Sequence, residues 1–104
     1  MERILTAKSL SDESPTFVEK LPILVVDDEY GPRESIAFSL SAEFAVDTAE
    51  RAREALAKVK EKAYFAVLLD IRMPEMDGIR ALEELKKIDP NVSVIMLMGY
   101  GTLL

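Results

Sequence analysis

The chain has 104 residues, which is the length of a single domain. Its formal net charge is −6, so we do not expect the basic surface that direct nucleic-acid binding requires. Cysteine and histidine are both missing, which excludes disulfides, thiolate chemistry, histidine acid/base catalysis and a histidine-ligated zinc site.

Residues 1–20 have the composition of an arm rather than of a folded element. The stretch SDESP at 11–15 is typical of a loop. The arm lacks the apolar core of a secretory signal, and no apolar run in the chain approaches the roughly 18 residues of a membrane span. We therefore expect an N-terminal arm or leader at 1–20, a folded domain at 21–104, a cytoplasmic location and no membrane association.

From Leu21 onward, apolar runs alternate with amphipathic segments. Four of these runs predict strands, and three of the four are apolar enough to be buried on both faces, as in a parallel sheet. The predicted strands are LPILVVDDE (21–29), FAVDTA (44–49), AYFAVLLD (63–70) and VSVIMLM (92–98).

Three segments between these strands predict helices. The first, GPRESIAFSLSAEF, begins at Gly31–Pro32 and places Ile36, Leu40 and Phe44 at helical spacing. The other two predicted helices are RAREALAKVKEK (51–62), with Ala55, Leu56 and Val59 on one face, and GIRALEELKKI (78–88), with Ile79, Leu82, Leu85 and Ile88 facing inward. The alternation predicts βαβ units and a parallel sheet with helices on both faces.

Acidic residues follow two of the predicted strands. Asp27 and Asp28 end the first strand, and Asp70 ends the third. Ligands of open α/β sheets bind at the carboxyl ends of the strands. If these two strands are neighbours, three carboxylates share a small patch, and a hard cation such as Mg²⁺ would relieve their repulsion. The alternative for Asp70 is a plain cap or turn residue.

Two motifs together resemble the receiver domain of bacterial response regulators. They are LVVDDE followed by a helix, and LLDIRMPEMDG at 68–78. The resemblance covers residues 21–101 and implies the flavodoxin-like, doubly wound fold with strand order 2-1-3-4-5. It also implies that the Met-Pro and Asp-Gly pairs of the second motif shape the loop over the site.

The resemblance assigns a role to each residue of the acidic patch. Asp70 corresponds to the phosphoacceptor, which takes a phosphoryl group from the histidine of a sensor kinase by covalent catalysis. Asp28 corresponds to a direct Mg²⁺ ligand, and Asp27 to one that acts largely through water. Asp70 and the backbone carbonyl of Arg72 would complete the protein's share of the metal shell. Because the donor histidine belongs to the kinase, a chain without histidine fits this scheme.

The chain departs from the family pattern at two places. At the end of the fourth strand, receivers usually carry Thr or Ser, whereas this chain has Met98, which lacks a hydroxyl donor. Met98 could instead be a plain core residue. The sequence also stops at Leu104, so we expect the incomplete receiver to lack the fifth strand, its lysine and the last helices. An apolar edge at the fourth strand would then favour a homo-oligomer.

Several functions remain open on these residues. The first is a working phosphoacceptor, and the second is a degenerate or truncated receiver-like interaction module without a phosphorylation switch. A phosphatase or hydrolase with an aspartate nucleophile is disfavoured, since Arg72 stands where such enzymes place a second acid. A truncated product is a further alternative. GYGT at 99–102 resembles the run found in receivers fused to enhancer-binding transcription activators.

Overall fold

The computed structural model describes residues 19–74 and 76–98. In chain order the elements are β1 (Leu21–Val26), α1 (Tyr30–Leu40), β2 (Phe44–Ala49), α2 (Ala52–Glu61), β3 (Ala66–Asp70), α3 (Gly78–Ile88) and β4 (Ser93–Leu97). The predicted alternation of strands and helices is confirmed. The arm, except for its last two residues, and the GYGT run lie outside the described residues.

The four strands form one parallel sheet in the order β2-β1-β3-β4. This is the flavodoxin-like order predicted from the motifs, over the strands that the structure describes. In the sheet register, Val26 at the end of β1 lies between Ala49 of β2 and Leu69 of β3. The last residue of β1 is therefore level with the ends of both neighbouring strands.

Helices cover the two faces of the sheet unequally. The chain steps from β1 to β2 in one direction and from β2 to β3 and β4 in the other, so right-handed crossovers place α1 on one face and α2 with α3 on the opposite face. The core lies mainly beneath α2 and α3. Its fully buried strand residues are Leu24, Val26, Val67 and Leu69, which pack against helix residues that include Ala55, Val59, Ala81 and Leu85.

Several element boundaries differ from those predicted. Helix α1 ends at Leu40, and Phe44 belongs to β2, where its ring stacks on Phe65 with centroids 6.5 Å apart. Helix α1 starts at Tyr30, one residue before the predicted start. Strand β3 starts at Ala66, although the N–H of Phe65, just before it, still donates to the carbonyl of Pro22 in β1 at 2.8 Å.

The inward face of α3 also differs from the predicted one. Gly78, Ala81 and Leu85 are the buried residues of this helix, whereas Ile79 is 56% exposed. Successive helix residues point about 100° apart, so a helix that buries Gly78 turns Ile79 toward solvent.

Among the described residues, no helix is long and apolar enough to cross a membrane.

A polar cluster joins β2 to the segment before β3. Tyr64, only 5% exposed, donates its hydroxyl to Asp47 Oδ2 at 2.6 Å. The ammonium of Lys62 bonds the same oxygen at 3.0 Å. The Tyr64 bond is the main cause that lowers the pKa of Asp47 below its usual value. Burial, followed by the Asp47 carboxylate, raises the pKa of Tyr64 far above its usual value.

Candidate functional site

The three predicted acids meet at the carboxyl edge of the sheet. Asp27 follows β1 directly, Asp70 is the last residue of β3, and β1 and β3 are paired neighbours. Asp28 is the next residue of the chain, and one carboxylate oxygen from each of the three lies within 4.8 Å of the others. Asp27 and Asp70 are buried, whereas Asp28 is exposed.

Each of the two buried carboxylates also caps its own turn. Asp27 Oδ1 accepts the N–H of Glu29 at 3.0 Å, and Asp70 Oδ1 accepts the N–H of Arg72 at 3.1 Å. The turn-residue interpretation of Asp70 is therefore correct as local chemistry. It does not account for the whole site, because a turn needs one carboxylate oxygen and here three carboxylates converge.

The surroundings of Asp70 disfavour its charged form. Burial is the main cause that raises the pKa of the Asp70 carboxyl, and the negative charges of Asp27 and Asp28 raise it further. The N–H of Arg72 acts in the opposite direction by bonding the carboxylate. A cation at this point would offset both burial and repulsion. The donor set consists of carboxylate oxygens, which are the ligands that Mg²⁺ prefers.

An open cavity of about 700 Å³ extends from these carboxylates. Its lining comes from the β1–α1 segment, the β3 end and the β4 end: Asp27, Asp28, Glu29, Pro32, Ser35, Ile36, Asp70, Arg72, Leu97 and Met98. Arg72 thus lies at the site, and ligation by its carbonyl stays a prediction. Met98 is 57% exposed, so the interpretation of Met98 as a core residue is wrong.

Residues that follow β3 lie beside the site. Met73 points into the core and is 7% exposed, and with the exposed Pro74 it also lines a smaller cavity of about 200 Å³ beside Asp28. Asp77 caps α3 by accepting the N–H of Arg80 at 2.8 Å. The Met-Pro pair thus lies beside Asp28 and the Asp-Gly pair begins α3, and their role in shaping the loop over the site stays a prediction.

Sequence reasoning missed Arg33, a buried cation beside the acids. Its guanidinium donates to the backbone oxygen of Asp27 at 3.0 Å, and its side chain is 8% exposed. An arginine in the first turn of an amphipathic helix is ordinarily a surface residue. Nothing in the sequence pattern distinguishes Arg33 from the exposed Arg53 of α2 or Arg80 of α3.

Comparison with known proteins gives one consistent family. The family model described as the response regulator receiver domain matches residues 23–103. The transcriptional regulatory protein ZraR of Klebsiella oxytoca is 38% identical over 86 residues, which are 82% of this chain and 19% of that protein. The chain thus spans about a fifth of the length of the ZraR proteins that it matches.

Solved structures agree with the family match. A receiver domain protein from Methanospirillum hungatei is 35% identical, with a TM-score of 0.75 over 82% of this chain and 69% of that one. The CheX–CheY–BeF3–Mg²⁺ complex from Borrelia burgdorferi contains a chain that is 35% identical, with a TM-score of 0.67 over 79% of this chain and 64% of that one. The sheet order, the acidic edge and these matches lead to one conclusion: the chain belongs to the response regulator receiver domain family.

Proposed function

We propose that this receiver domain accepts a phosphoryl group on Asp70 from a phosphohistidine of a sensor kinase, with Mg²⁺ held by Asp27, Asp28, Asp70 and the carbonyl of Arg72. The observation that carries the proposal is the convergence of three carboxylates, with oxygens within 4.8 Å, at the mouth of a cavity of about 700 Å³. A receiver of this kind is a signalling domain that acts in the cytoplasm.

The chemistry uses Asp70 as the nucleophile. One carboxylate oxygen forms a bond to phosphorus while the phosphorus–nitrogen bond of the phosphohistidine breaks, and the departing imidazole takes up a proton. The bond from the N–H of Arg72 fixes Asp70 Oδ1, which leaves the second oxygen for attack. When bound, Mg²⁺ would supply neutralisation of the charge on the phosphoryl oxygens. Asp27 and Asp28 would hold the ion together with Asp70.

Two of the relatives support this proposal. The Borrelia complex contains BeF3 and Mg²⁺ together with a chain of the same fold. ZraR is a transcriptional regulatory protein, which supports a role for this chain in transcription regulation through a further domain. With a net charge of −6, the chain itself is not expected to contact nucleic acid.

Phosphorylation by a small phosphodonor in the presence of Mg²⁺, read by intact mass, tests the proposal. We expect one added phosphoryl group in the wild-type chain and none in Asp70→Asn. Asp77→Asn is a matched control, since it makes the same change in an acid that caps α3 and is not one of the converging carboxylates. It should accept phosphate like the wild type. A folded wild-type protein that stays unmodified in Mg²⁺ would contradict the proposal.

The alternative is a receiver-like interaction module without a phosphorylation switch. The observation in its favour is Met98, which lines the cavity without offering a hydroxyl to a phosphoryl group. A homo-oligomer formed through β4, where Ile95 is 51% exposed, is a separate prediction. Light scattering after size exclusion tests this prediction. A monomer at micromolar concentration would contradict it, and Ile95→Lys should dissociate any oligomer that forms through this strand.

A further inference from the structure

A buried side chain, Arg33, bonds the backbone of the segment that carries Asp27 and Asp28. Arg33 lies in the first turn of α1, and its guanidinium donates to the backbone oxygen of Asp27 at 3.0 Å. On the other side, the N–H of Asp27 donates to Ala49 at the end of β2 at 3.1 Å. The peptide units on both sides of Asp27 are therefore tied to the fold.

The tie matters most for Asp28, because the Asp27 carbonyl belongs to the peptide unit that leads into Asp28. When this carbonyl is fixed, the planar peptide unit also fixes the Asp28 N and Cα atoms, from which the side chain projects. Asp28 itself is exposed. Among the described residues, no hydrogen bond to its carboxylate is seen, and its placement therefore depends on its backbone.

The charge around Arg33 favours the same arrangement. Nε of Arg33 lies 3.5 Å from a carboxylate oxygen of Glu34, and one terminal nitrogen lies 3.9 Å from Glu50, which follows β2. The guanidinium also lies 5.5 Å from the centre of the Tyr30 ring. One cation thus links α1, the end of β1 and the end of β2. A buried arginine with these partners is costly to remove, because the Asp27 carbonyl and the acids lose their partner.

We infer that Arg33 is a positioning residue for the divalent-cation site, which fixes the Asp27–Asp28 backbone so that the two carboxylates face Asp70 before any ion binds. This inference rests on the proposed function, since it assumes that the acids bind Mg²⁺. It adds that the affinity of the site depends on a side chain that touches neither the ion nor the phosphoryl group. Such preorganisation lowers the cost of assembling the ligands.

Mg²⁺ titration by calorimetry, together with melting of each protein in chelator, tests the inference. For Arg33→Met we expect the Kd for Mg²⁺ to rise about tenfold, since the Asp28 backbone is released. Arg33→Lys keeps the charge and one donor, so it should recover part of this loss. Lys60→Met removes one positive charge at the exposed, far end of α2 and should leave the Kd unchanged.

The outcomes separate this inference from the proposed function. A wild-type chain that does not bind Mg²⁺ overturns the metal site itself. Wild-type binding with a Kd within twofold in folded Arg33→Met overturns only the role of Arg33. If Arg33→Met does not fold in chelator, Arg33→Lys decides, since it lacks the planar fork that reaches both Asp27 and Glu50. A higher Kd for Mg²⁺ in Arg33→Lys than in the wild type supports the inference, and an unchanged Kd overturns it.

Discussion

Gly78 and Ile71 lie so close that no side chain fits between them. A Cβ placed on Gly78 would stand 2.8 Å from the Cα of Ile71 and 2.9 Å from the terminal methyl of Met96. The N–H of Gly78 also donates to the carbonyl of Ile71 at 3.2 Å. The glycine thus closes the loop that leaves Asp70 and returns to the start of α3.

We therefore expect Gly78→Ala to lower the free energy of unfolding by about 1–3 kcal/mol, since backbone must move to admit the methyl group. The matched control is Gly31→Ala in the first turn of α1, where an added Cβ has nothing within 4 Å. This control should be neutral or stabilise by up to about 1 kcal/mol because alanine favours a helix. Urea unfolding of both variants checks the prediction, and equal effects would contradict it.

The raised pKa of Asp70 predicts that this carboxylate lowers stability when no cation is present. Because the folded pKa lies above the ordinary value of 3.8, stability falls as the pH rises through this value toward the folded pKa, and then stays level. Asp70→Asn removes the buried negative charge, so we expect the melting temperature of this variant in chelator at pH 7 to exceed the wild-type value by about 2–6 °C. Mg²⁺ should raise the melting temperature of the wild type more than that of the variant.

Thermal melts in chelator and in Mg²⁺ between pH 4 and 7.5 measure this effect. Asp77→Asn, at the N-cap of α3, repeats the substitution outside the converging carboxylates and should not raise the melting temperature, since Asn and Asp cap a helix about equally well. A wild-type melting temperature that is the same with Mg²⁺ and with chelator would be incompatible with the prediction.

Tyr64→Phe should destabilise the chain over a defined range of pH. The variant loses the 2.6 Å bond to Asp47, which we expect to cost about 1–2 kcal/mol near neutral pH. The lowered pKa of Asp47 means that its contribution is present above 3.8 and is lost as the pH falls through the folded pKa. The raised pKa of Tyr64 means that its contribution is complete below 10.0 and is lost at higher pH.

The difference in stability between the wild type and Tyr64→Phe should therefore be largest between the two ordinary pKa values and should narrow at both extremes. Denaturant unfolding at pH 3.5, 7 and 10.5, followed by circular dichroism, measures it. Tyr30→Phe removes the hydroxyl of a tyrosine that is 73% exposed and should show no such pattern. A constant difference across this range would refute a contribution of this bond to the two pKa shifts.

Met98→Thr tests the missing hydroxyl at the end of β4. Met98 lines the cavity that contains Asp70, and threonine at this position would offer a donor to a phosphoryl oxygen. We expect phosphorylation to change the amide NMR spectrum little in the wild type and over a wider region in Met98→Thr. Met98→Leu is the control, since it changes the side chain without adding a donor. Equal spectral changes in all three proteins would argue against this role of position 98.

Much of the fold could be predicted because its signals are local. Apolar runs predict strands, and apolar residues at helical spacing predict helices. The acids at the strand ends are then brought together by the parallel topology alone. The exposure of Ile79 could not be predicted from such local signals. Several faces of α3 carry apolar residues, and the close contact of Gly78 with Ile71 goes with burial of the face that also carries Ala81 and Leu85.

The acidic residues of the candidate site could also be predicted from local signals, but the site's buried cation could not. Asp27, Asp28 and Asp70 stand out as acids at strand ends, whereas Arg33 is one arginine among several in helices. Its burial depends on the backbone oxygen of Asp27 and on Glu50, which tertiary structure alone brings to it. The bond from Tyr64 to Asp47 likewise joins residues that no short motif connects.

The order of the strands has a consequence for how the chain folds. Asp27 and Asp28 belong to the first βαβ unit, but Asp70 reaches them only after the chain has passed over β1 and β3 has paired with it. A partly folded chain with only β1, α1 and β2 therefore holds an incomplete set of ligands. Because an ion that binds only the native state stabilises that state alone, Mg²⁺ would favour molecules that have completed this slow, long-range pairing.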